Sequence, residues 1–517
     1  MDPLHMHRQL LNPATYPETT RRVEFRETHI SRVYLTDTHA YKLKKPLNLG
    51  FLDFSTLERR GFFCAEEVRL NRRFAPGTYL GVVELHEDQG RLRFGGPGRL
   101  LEFAVQMRRL PEARMLDHLL DTAASELPAE IERLARHLAP LLATAEVCRA
   151  AGKGSQVAVI TANCAENLAQ TVPAIGQGLS AEAHRVMTRL SRGQIDQLSP
   201  LFAAREARGY VRDGHGDLHA RNICMTDPIQ IYDCIEFCRR FRVADVAAEL
   251  AFLLMDLDFR GRRDLAGRLL AAYLECADDP ELTQLLGFYK SYRAWVRGKV
   301  DALLAGEAEV DAAMRAEAQL RSRRYFNLAL GYHVPATLLL TAGLMGVGKT
   351  TLARALAAAV GGTLLRSDVV RKELAGIAPT TSRLEPFGAG LYAPAMHART
   401  YAELGRRAQA LLASGTTVIV DASFARTAER QAFLAMADAR GIPAWLLHLQ
   451  CDRATALTRL DRRQVEGHDA SDGRSDLAQA QAARFEPLPA GPRVIEIDSS
   501  AAVDYNVQKI ICRLLAG

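Results

Sequence analysis

The chain has 517 residues, 48% of them hydrophobic and 24% charged, with a net charge of +6. That length implies two or three domains at roughly 100–200 residues each, and the apolar share lets each bury its own core without disulfide or metal staples. The mild basic excess is not gathered into a Lys/Arg block of the kind that marks a nucleic-acid tail, and no run reaches the ~18 apolar residues of a membrane span.

Met1 to Pro13 holds no apolar stretch of signal-peptide type, and the nine cysteines scattered from Cys64 to Cys512 read as buried thiols of a reducing compartment. A cytoplasmic location is therefore expected. Residues 21–45 predict a small β region. Arg32-Val33-Tyr34-Leu35 and Ala40-Tyr41-Lys42-Leu43-Lys44 are β-prone runs around a hairpin turn at Thr36-Asp37-Thr38-His39. A helix is expected from about Ser55 to Arg73, stopped by Ala75-Pro76-Gly77, and strands return at 79–86 and 99–109. From about Asp117 the pattern is mostly helical, interrupted near 209–237 by a loop and short strands. Strands first and helices after predict a bilobal α+β domain rather than alternating β/α units.

The interrupting loop carries His215-Gly216-Asp217-Leu218-His219-Ala220-Arg221-Asn222. The spacing from Asp217 to Asn222 is that of a kinase catalytic loop, where an aspartate meets the acceptor hydroxyl and an asparagine ligates Mg2+. Ile229-Gln230-Ile231-Tyr232-Asp233 follows as a short strand ending in a carboxylate placed to hold metal ions. This stretch resembles the aminoglycoside-phosphotransferase and choline-kinase branch of the protein-kinase-like fold, and Asp245 in Val243-Ala244-Asp245-Val246-Ala247 stands where that branch starts its next helix. The resemblance implies Asp217 as base and Asn222 and Asp233 as metal ligands. It also implies a phosphate-binding lysine on an upstream strand. Lys42 is the first candidate and Lys44, on the same strand face, the alternative; the partner is Glu66 or Glu67 on the next helix. Two features depart from the pattern. Glu27-Thr28-His29-Ile30-Ser31 stands where a G-x-G-x-x-G loop would precede Lys42, and Cys234-Ile235 follows Asp233 where protein kinases carry Phe-Gly. The second departure argues against a protein kinase.

A charged helical stretch from Gly306 to Gly331 and the punctuation His333-Val334-Pro335 place a boundary near residue 332, giving a kinase-like domain over 1–332 and a P-loop domain over 333–517. Thr337–Thr341 is a continuous apolar run typical of a buried parallel strand. Thr363–Leu365, Thr417–Val420, Ala444–Leu449 and Val494–Ile497 are further strand candidates alternating with helices, which predicts a three-layer α/β domain with a parallel sheet.

Gly343-Leu344-Met345-Gly346-Val347-Gly348-Lys349-Thr350 fits G-x-x-x-x-G-K-[ST] between that first strand and a helix opening at Thr351. Gly343, Gly346 and Gly348 let the backbone curl so that several N–H groups face one anion, and the helix N-terminus adds its dipole. Lys349 is expected to reach the β/γ-phosphates and Thr350 to offer its hydroxyl to Mg2+. Asp368 and Arg371, three apart on one helical face, suit a proton acceptor beside a holder of an anionic group. Asp421 ends the run Val418-Ile419-Val420 at a strand's carboxyl end, where it can hold the Mg2+ shell or the acceptor. Arg459 and Arg463, on a basic helix before the polar stretch 466–476, suggest a closing lid whose arginines stabilise phosphoryl charge. Residues 336–490 resemble P-loop kinases of the zeta-toxin, gluconate-kinase and polynucleotide-kinase type, which implies phosphoryl transfer from ATP to a hydroxyl with Asp368 as base.

The pairing of the two halves resembles bacterial bifunctional proteins with an aminoglycoside-phosphotransferase-like domain followed by an ATP-binding P-loop domain. The expected function is ATP- and Mg2+-dependent transfer of the γ-phosphoryl group to a hydroxyl of a small molecule or nucleotide. A nucleotide-driven regulator with one inactive kinase-like module is the second expectation, motivated by the missing glycine loop. A 5′-hydroxyl polynucleotide kinase ranks third, because no aromatic-and-basic platform for single strands is visible. Nothing in the sequence names the acceptor or the oligomeric state.

Overall fold

The computed structural model describes residues 2–50, 52–122, 125–148, 154–378, 381, 390–466 and 478–516. The chain forms two compact units: Met1–Asn163 with Ile195–Tyr289, and Cys164–Gln194 with Lys290–Gly517. The first is α+β in two lobes, and the second is built on a parallel sheet.

In the first unit, β1 (Glu24–Glu27), β2 (Ser31–Leu35), β3 (His39–Lys44), β4 (Tyr79–Asp88), β5 (Arg91–Phe94) and β6 (Arg99–Arg108) form one antiparallel sheet in the order β1-β2-β3-β6-β4-β5. The hairpin between β2 and β3 turns at Thr36–Thr38 as expected, with Thr36 N–H donating to the His39 carbonyl at 2.8 Å. β5 was not anticipated. It follows β4 through a two-residue turn in which Gln89 and Gly90 both have positive φ, 48° and 76°, the twist that two-residue hairpins need.

Alternation along β3 sorts its residues between two cores. Tyr41 and Leu43 join Tyr16, Tyr34 and Phe94 on one face. Ala40 joins Cys64, Val68, Val105 and Met107 on the other, under the helix Leu57–Asn71. A period of two therefore turns Lys42 and Lys44 toward that helix as well. Thr56 caps the helix, its hydroxyl accepting from Arg59 N–H at 3.3 Å.

Four short strands frame the interrupting loop of this unit. β7 (Val211–Asp213) pairs antiparallel with β10 (Val243–Asp245), and β8 (Ile223–Cys224) pairs antiparallel with β9 (Gln230–Ile231). β10 leads directly into the helix Val246–Phe259, buried along nearly its whole length. Asp245 caps that helix, accepting from Ala247 N–H at 2.8 Å, and is gripped by the buried Arg205, which also holds Asp279. Removing one partner from such a buried arrangement costs about 3–5 kcal/mol.

In the second unit, β11 (Leu338–Ala342), β12 (Thr363–Arg366), β13 (Val418–Asp421), β14 (Ala444–Gln450) and β15 (Val494–Asp498) form an all-parallel sheet ordered β12-β13-β11-β14-β15. All five residues of the central β11 are buried, which explains why four of them are apolar, and the fifth, Thr341, gives its hydroxyl to the Ala422 carbonyl at 3.1 Å. The chain runs outward to β12, returns through β13 and then crosses β11 to β14. That order sets the carboxyl ends of β11 and β13 side by side, where open parallel sheets bind ligands. The helix Ala312–Gly331 packs on the helices Lys349–Val360 and Val503–Ala516 of the same unit. Among the described residues no helix is long and apolar enough to cross a membrane.

Candidate functional site

In the second unit the chain leaves β11 through Gly343, Gly346 and Gly348, with φ of 143°, 80° and 86°. At Gly346 a side chain is excluded twice, by this left-handed backbone and because a Cβ would lie 2.5 Å from the Ala456 carbonyl oxygen. Lys349 opens the following helix, and its ammonium donates back to the Leu344 carbonyl at 2.7 Å, spanning the loop. Thr351 is exposed on the first turn.

One residue into the helix, the Thr350 hydroxyl donates to Asp421 Oδ2 at 2.6 Å, joining the loop to the end of β13. Arg366, at the end of β12, brings its Nε within 3.4 Å of the same oxygen. Burial raises the Asp421 carboxyl, against the pull of Thr350 and the nearby Lys349 and Arg366. A hydroxyl and a carboxylate in contact at the mouth of a glycine loop are hard oxygen donors, the set that suits Mg2+.

Asp368 and Arg371 lie on the helix Ser367–Leu374 that begins where β12 ends. They meet as the spacing predicts, with Arg371 Nη1 donating to Asp368 Oδ1 at 2.6 Å. Arg371 is buried and its guanidinium lies over the Tyr392 ring, 4.7 Å from the centroid. Asp368 is close enough to Asp421 to raise its carboxyl, so Thr350, Asp421, Asp368 and Lys349 share one electrostatic neighbourhood. Arg459 is on the helix Arg453–Glu466 and is held by Ser499, through its carbonyl at 2.8 Å and its hydroxyl at 3.2 Å. Its Nη1 is 3.5 Å from where a Gly348 Cβ would sit, so the guanidinium rests against the loop. The Arg463 side chain and residues 467–476 of the expected lid lie outside the described residues.

In the first unit, β3 delivers Lys42 and Lys44 to the helix Leu57–Asn71, where Glu67 receives both. Glu67 Oε1 accepts from Lys42 at 2.8 Å and Oε2 from Lys44 at 2.7 Å. Glu66 takes no part in this pair. It sits about 100° further round the helix, on the solvent side, and holds Arg69 at 2.7 and 2.8 Å. Burial works to raise the Glu67 carboxyl, but the two ammonium groups outweigh it and hold it down at about 2.

Lys42 also donates to Asp233 Oδ1 at 2.5 Å. Asp233 has a φ of 65° and its N–H is fixed by the Tyr79 hydroxyl at 3.0 Å. Tyr232 N–H donates to the Asn222 carbonyl at 3.0 Å, bringing the two candidate metal ligands, Asn222 and Asp233, onto neighbouring backbone. The Asn222 amide donates to Asp217, to its carbonyl at 3.0 Å and to Oδ2 at 3.1 Å, and His219 Nε2 is 3.3 Å from that same Oδ2.

Behind the loop, burial pushes the His215 imidazole down to about 4, so it is neutral at physiological pH. Its Nδ1 accepts from Asp217 N–H at 3.3 Å, which leaves Nε2 to donate to the Tyr232 carbonyl at 2.9 Å. Glu249 adds a third tie, accepting from Gly216 N–H at 2.8 Å. Asn222 thus contacts Asp217 and is bonded to the backbone next to Asp233, and the amide and carboxylate oxygens of Asn222 and Asp233 are donors of the kind that suits Mg2+. Where a glycine-rich loop would lie, β1 and β2 are joined by a tight turn in which Ser31 N–H donates to the Thr28 hydroxyl at 3.0 Å and Thr28 N–H to the Ser31 carbonyl at 2.9 Å.

Arg366, Tyr392 and Ser499 in the second unit, and Asn71, Tyr79, Glu236 and Glu249 in the first, belong to these sites but carried no motif. The one available signal was adjacency: Arg366 is two residues before Asp368, and Glu236 is three after Asp233.

A family model described as an AAA domain matches residues 338–488. The chain is 31% identical over 475 residues to uncharacterized protein Rv2004c of Mycobacterium tuberculosis (strain H37Rv), covering 91% of this chain and 92% of that one. Among solved structures it is similar to a gluconokinase from Sinorhizobium meliloti 1021, at 21% identity over 35% of this chain and 92% of that chain, with a TM-score of 0.27. It is also similar to a choline/ethanolamine kinase family protein from Mesorhizobium loti, at 16% identity over 69% of this chain and 100% of that chain, with a TM-score of 0.39.

Proposed function

We propose that the chain, which belongs to the family of the mycobacterial protein Rv2004c, is a phosphotransferase that moves the γ-phosphoryl group of ATP to a hydroxyl of a small molecule or nucleotide, using two nucleotide-binding modules. The observation that carries this reading is the 2.6 Å bond from Thr350 to Asp421 at the mouth of the glycine loop, with the Asp368–Arg371 pair beside it. A nucleotide pocket alone would need the first; transfer needs an acceptor base as well.

In the second unit the loop N–H groups and Lys349 bind the phosphates, and Thr350 and Asp421 would hold Mg2+. When bound, the metal supplies charge neutralisation at the phosphate oxygens. Asp368 accepts the proton of the acceptor hydroxyl, Arg371 steadies that carboxylate and an anionic group of the acceptor, and Arg459 offsets phosphoryl charge from the loop side. Arg463, about one turn further along the same helix, is assigned the same part. In the first unit Asp217 is the corresponding base, Asn222 and Asp233 would hold Mg2+, and Lys42, steadied by Glu67, binds phosphate.

The test uses the full chain with γ-labelled ATP, Mg2+ and pooled hydroxylated metabolites and nucleotides, read by mass spectrometry. Labelled product that disappears in a Lys349→Ala, Asp217→Asn double variant is the expected result. Product no more abundant than in that variant would refute transfer.

A second reading rests on its own observation. Lys42 is engaged by Asp233 at 2.5 Å, and a hydroxyl-closed turn replaces the glycine loop above it. A first unit that senses nucleotide while only the second turns over would give labelled product unaffected by Asp217→Asn alone.

A further inference from the structure

Lys44 was the spare lysine of β3, yet it is more deeply enclosed than Lys42: its side chain is 0% exposed, against 10%. It donates to Glu67 Oε2 at 2.7 Å and also to Glu236 Oε1, and its ammonium lies 4.8 Å from the centre of the Phe54 ring. Lys42 runs in parallel from Glu67 Oε1 to Asp233. The five side chains form a continuous ladder, Asp233–Lys42–Glu67–Lys44–Glu236. Because Asp233 and Glu236 belong to one four-residue segment, the ladder closes into a ring.

Backbone bonds lock the same ring from inside. Asn71, buried one helical turn beyond Glu67, gives its amide to the Glu67 carbonyl at 2.9 Å and accepts Cys234 N–H at 2.8 Å. Ile235 N–H is held by the His215 carbonyl at 3.1 Å. The helix, the strand and the segment carrying Asp233 are thereby tied together through charged groups that, Asp233 apart, are shielded from solvent.

Stability does not explain this arrangement. A buried ion pair is often no better than apolar residues of the same volume, and this face of β3 already packs Ala40 into an apolar core. What the second rung does is divide the Glu67 carboxylate. With one oxygen committed to Lys44, Glu67 takes a single N–H of the Lys42 ammonium, Asp233 takes a second, and the third is left for a phosphate. Without Lys44, both oxygens can close on Lys42 and draw its ammonium back toward the helix.

We propose that Lys44 and Glu236 are positioning residues of the first unit's nucleotide site, holding Glu67 and the Asp233 segment so that Lys42 faces the phosphates. This rests on reading that unit as a nucleotide site. Neither residue touches the nucleotide; both act through Glu67 and through the segment they anchor.

The experiment uses full-length protein carrying Lys349→Ala, so that nucleotide binding reports on the first unit. A non-hydrolysable ATP analogue with Mg2+ is titrated by calorimetry, and melting is followed in parallel. Lys44→Met and Glu236→Gln are each expected to weaken binding roughly 10–100-fold, the range typical of groups that orient a binding residue. Lys44→Arg should recover most of it. The Lys44→Met, Glu236→Gln double variant removes the rung without stranding a buried charge, so it should melt close to the parent and still bind weakly. Parental affinity in that folded double variant would overturn the proposal, since a rung that only stabilises the fold would leave binding untouched. Affinity that depends on Lys42 but not on Lys44 or Glu236 would overturn it while sparing the nucleotide-site reading. No binding at all in the Lys349→Ala protein would bring down that reading and the proposal with it.

Discussion

The Thr350 hydroxyl and the Asp421 carboxylate are in hydrogen-bond contact at 2.6 Å although 71 residues separate them, because β11 and β13 are adjacent parallel strands that end at the same level. An Mg2+ ion held there would take oxygen from both. Asp421→Asn keeps an acceptor for Thr350 but loses the charge, and is expected to weaken Mg2+-dependent nucleotide binding roughly 10–100-fold. Thr350→Ser should stay close to wild type and Thr350→Ala should not. Nucleotide titrations with Mg2+ and with EDTA check this: equal losses in both conditions would remove the metal from the account.

Asp368 and Arg371 separate binding from transfer. Asp368→Asn still accepts from Arg371, so the pair and the helix should persist, but an amide takes no proton. Transfer is expected to fall about 10²–10⁴-fold with nucleotide affinity unchanged. Parallel turnover and binding measurements decide it, and a variant that transfers at the wild-type rate rules Asp368 out as base.

The parts of these sites that are local in sequence were legible before the fold was known. The glycine loop is one continuous motif between a strand and a helix, and Asp368 and Arg371 meet because three residues make nearly one helical turn. Lys42 and Lys44 shared a face by strand period alone. What stayed hidden needed the third dimension. Choosing Glu67 over Glu66 requires knowing which side of the helix Leu57–Asn71 rests on the sheet, and Arg459 finds Ser499 forty residues on. β5 escaped because it is four residues long with alternate residues exposed, and Gln89-Gly90 is a weaker hairpin signal than Asn-Gly. Glu236 had no motif at all; the ring that makes it matter exists only after β3, the helix and the Asp233 segment have come together.

Gly331 ends the helix Ala312–Gly331 where it meets the helix Lys349–Val360. A Cβ there would lie 2.1 Å from the Ala359 carbonyl oxygen, a backbone atom with nowhere to swing. Gly331→Ala should therefore destabilise the second unit by about 1–3 kcal/mol or more, as overpacking does. The only two tryptophans, Trp295 and Trp445, both lie in that unit, so intrinsic fluorescence reports its melting selectively. An unchanged fluorescence midpoint would show that the two helices separate freely.

His215 makes the first unit sensitive to mild acid. Burial holds its imidazole at about 4 in the folded chain, against its ordinary 6.5. Above pH 6.5 both states are neutral at this site and stability is at its full value. Between 6.5 and 4 the unfolded chain takes up a proton that the folded chain refuses, so stability falls as pH falls, by at most about 1.4 kcal/mol per pH unit. Below 4 the folded chain is protonated too and this contribution stops changing. His137, in the same unit, shifts in the same direction through burial, so the informative quantity is a difference between proteins. His215→Gln can still donate to the Tyr232 carbonyl but has no proton to gain. Calorimetry of the transition that tryptophan fluorescence does not report should show a shallower decline from pH 6.5 to 4.5 in the variant than in the wild type. Parallel declines would mean that His215 is protonated in the folded chain, and the Nε2 donation to Tyr232 would no longer fix its tautomer.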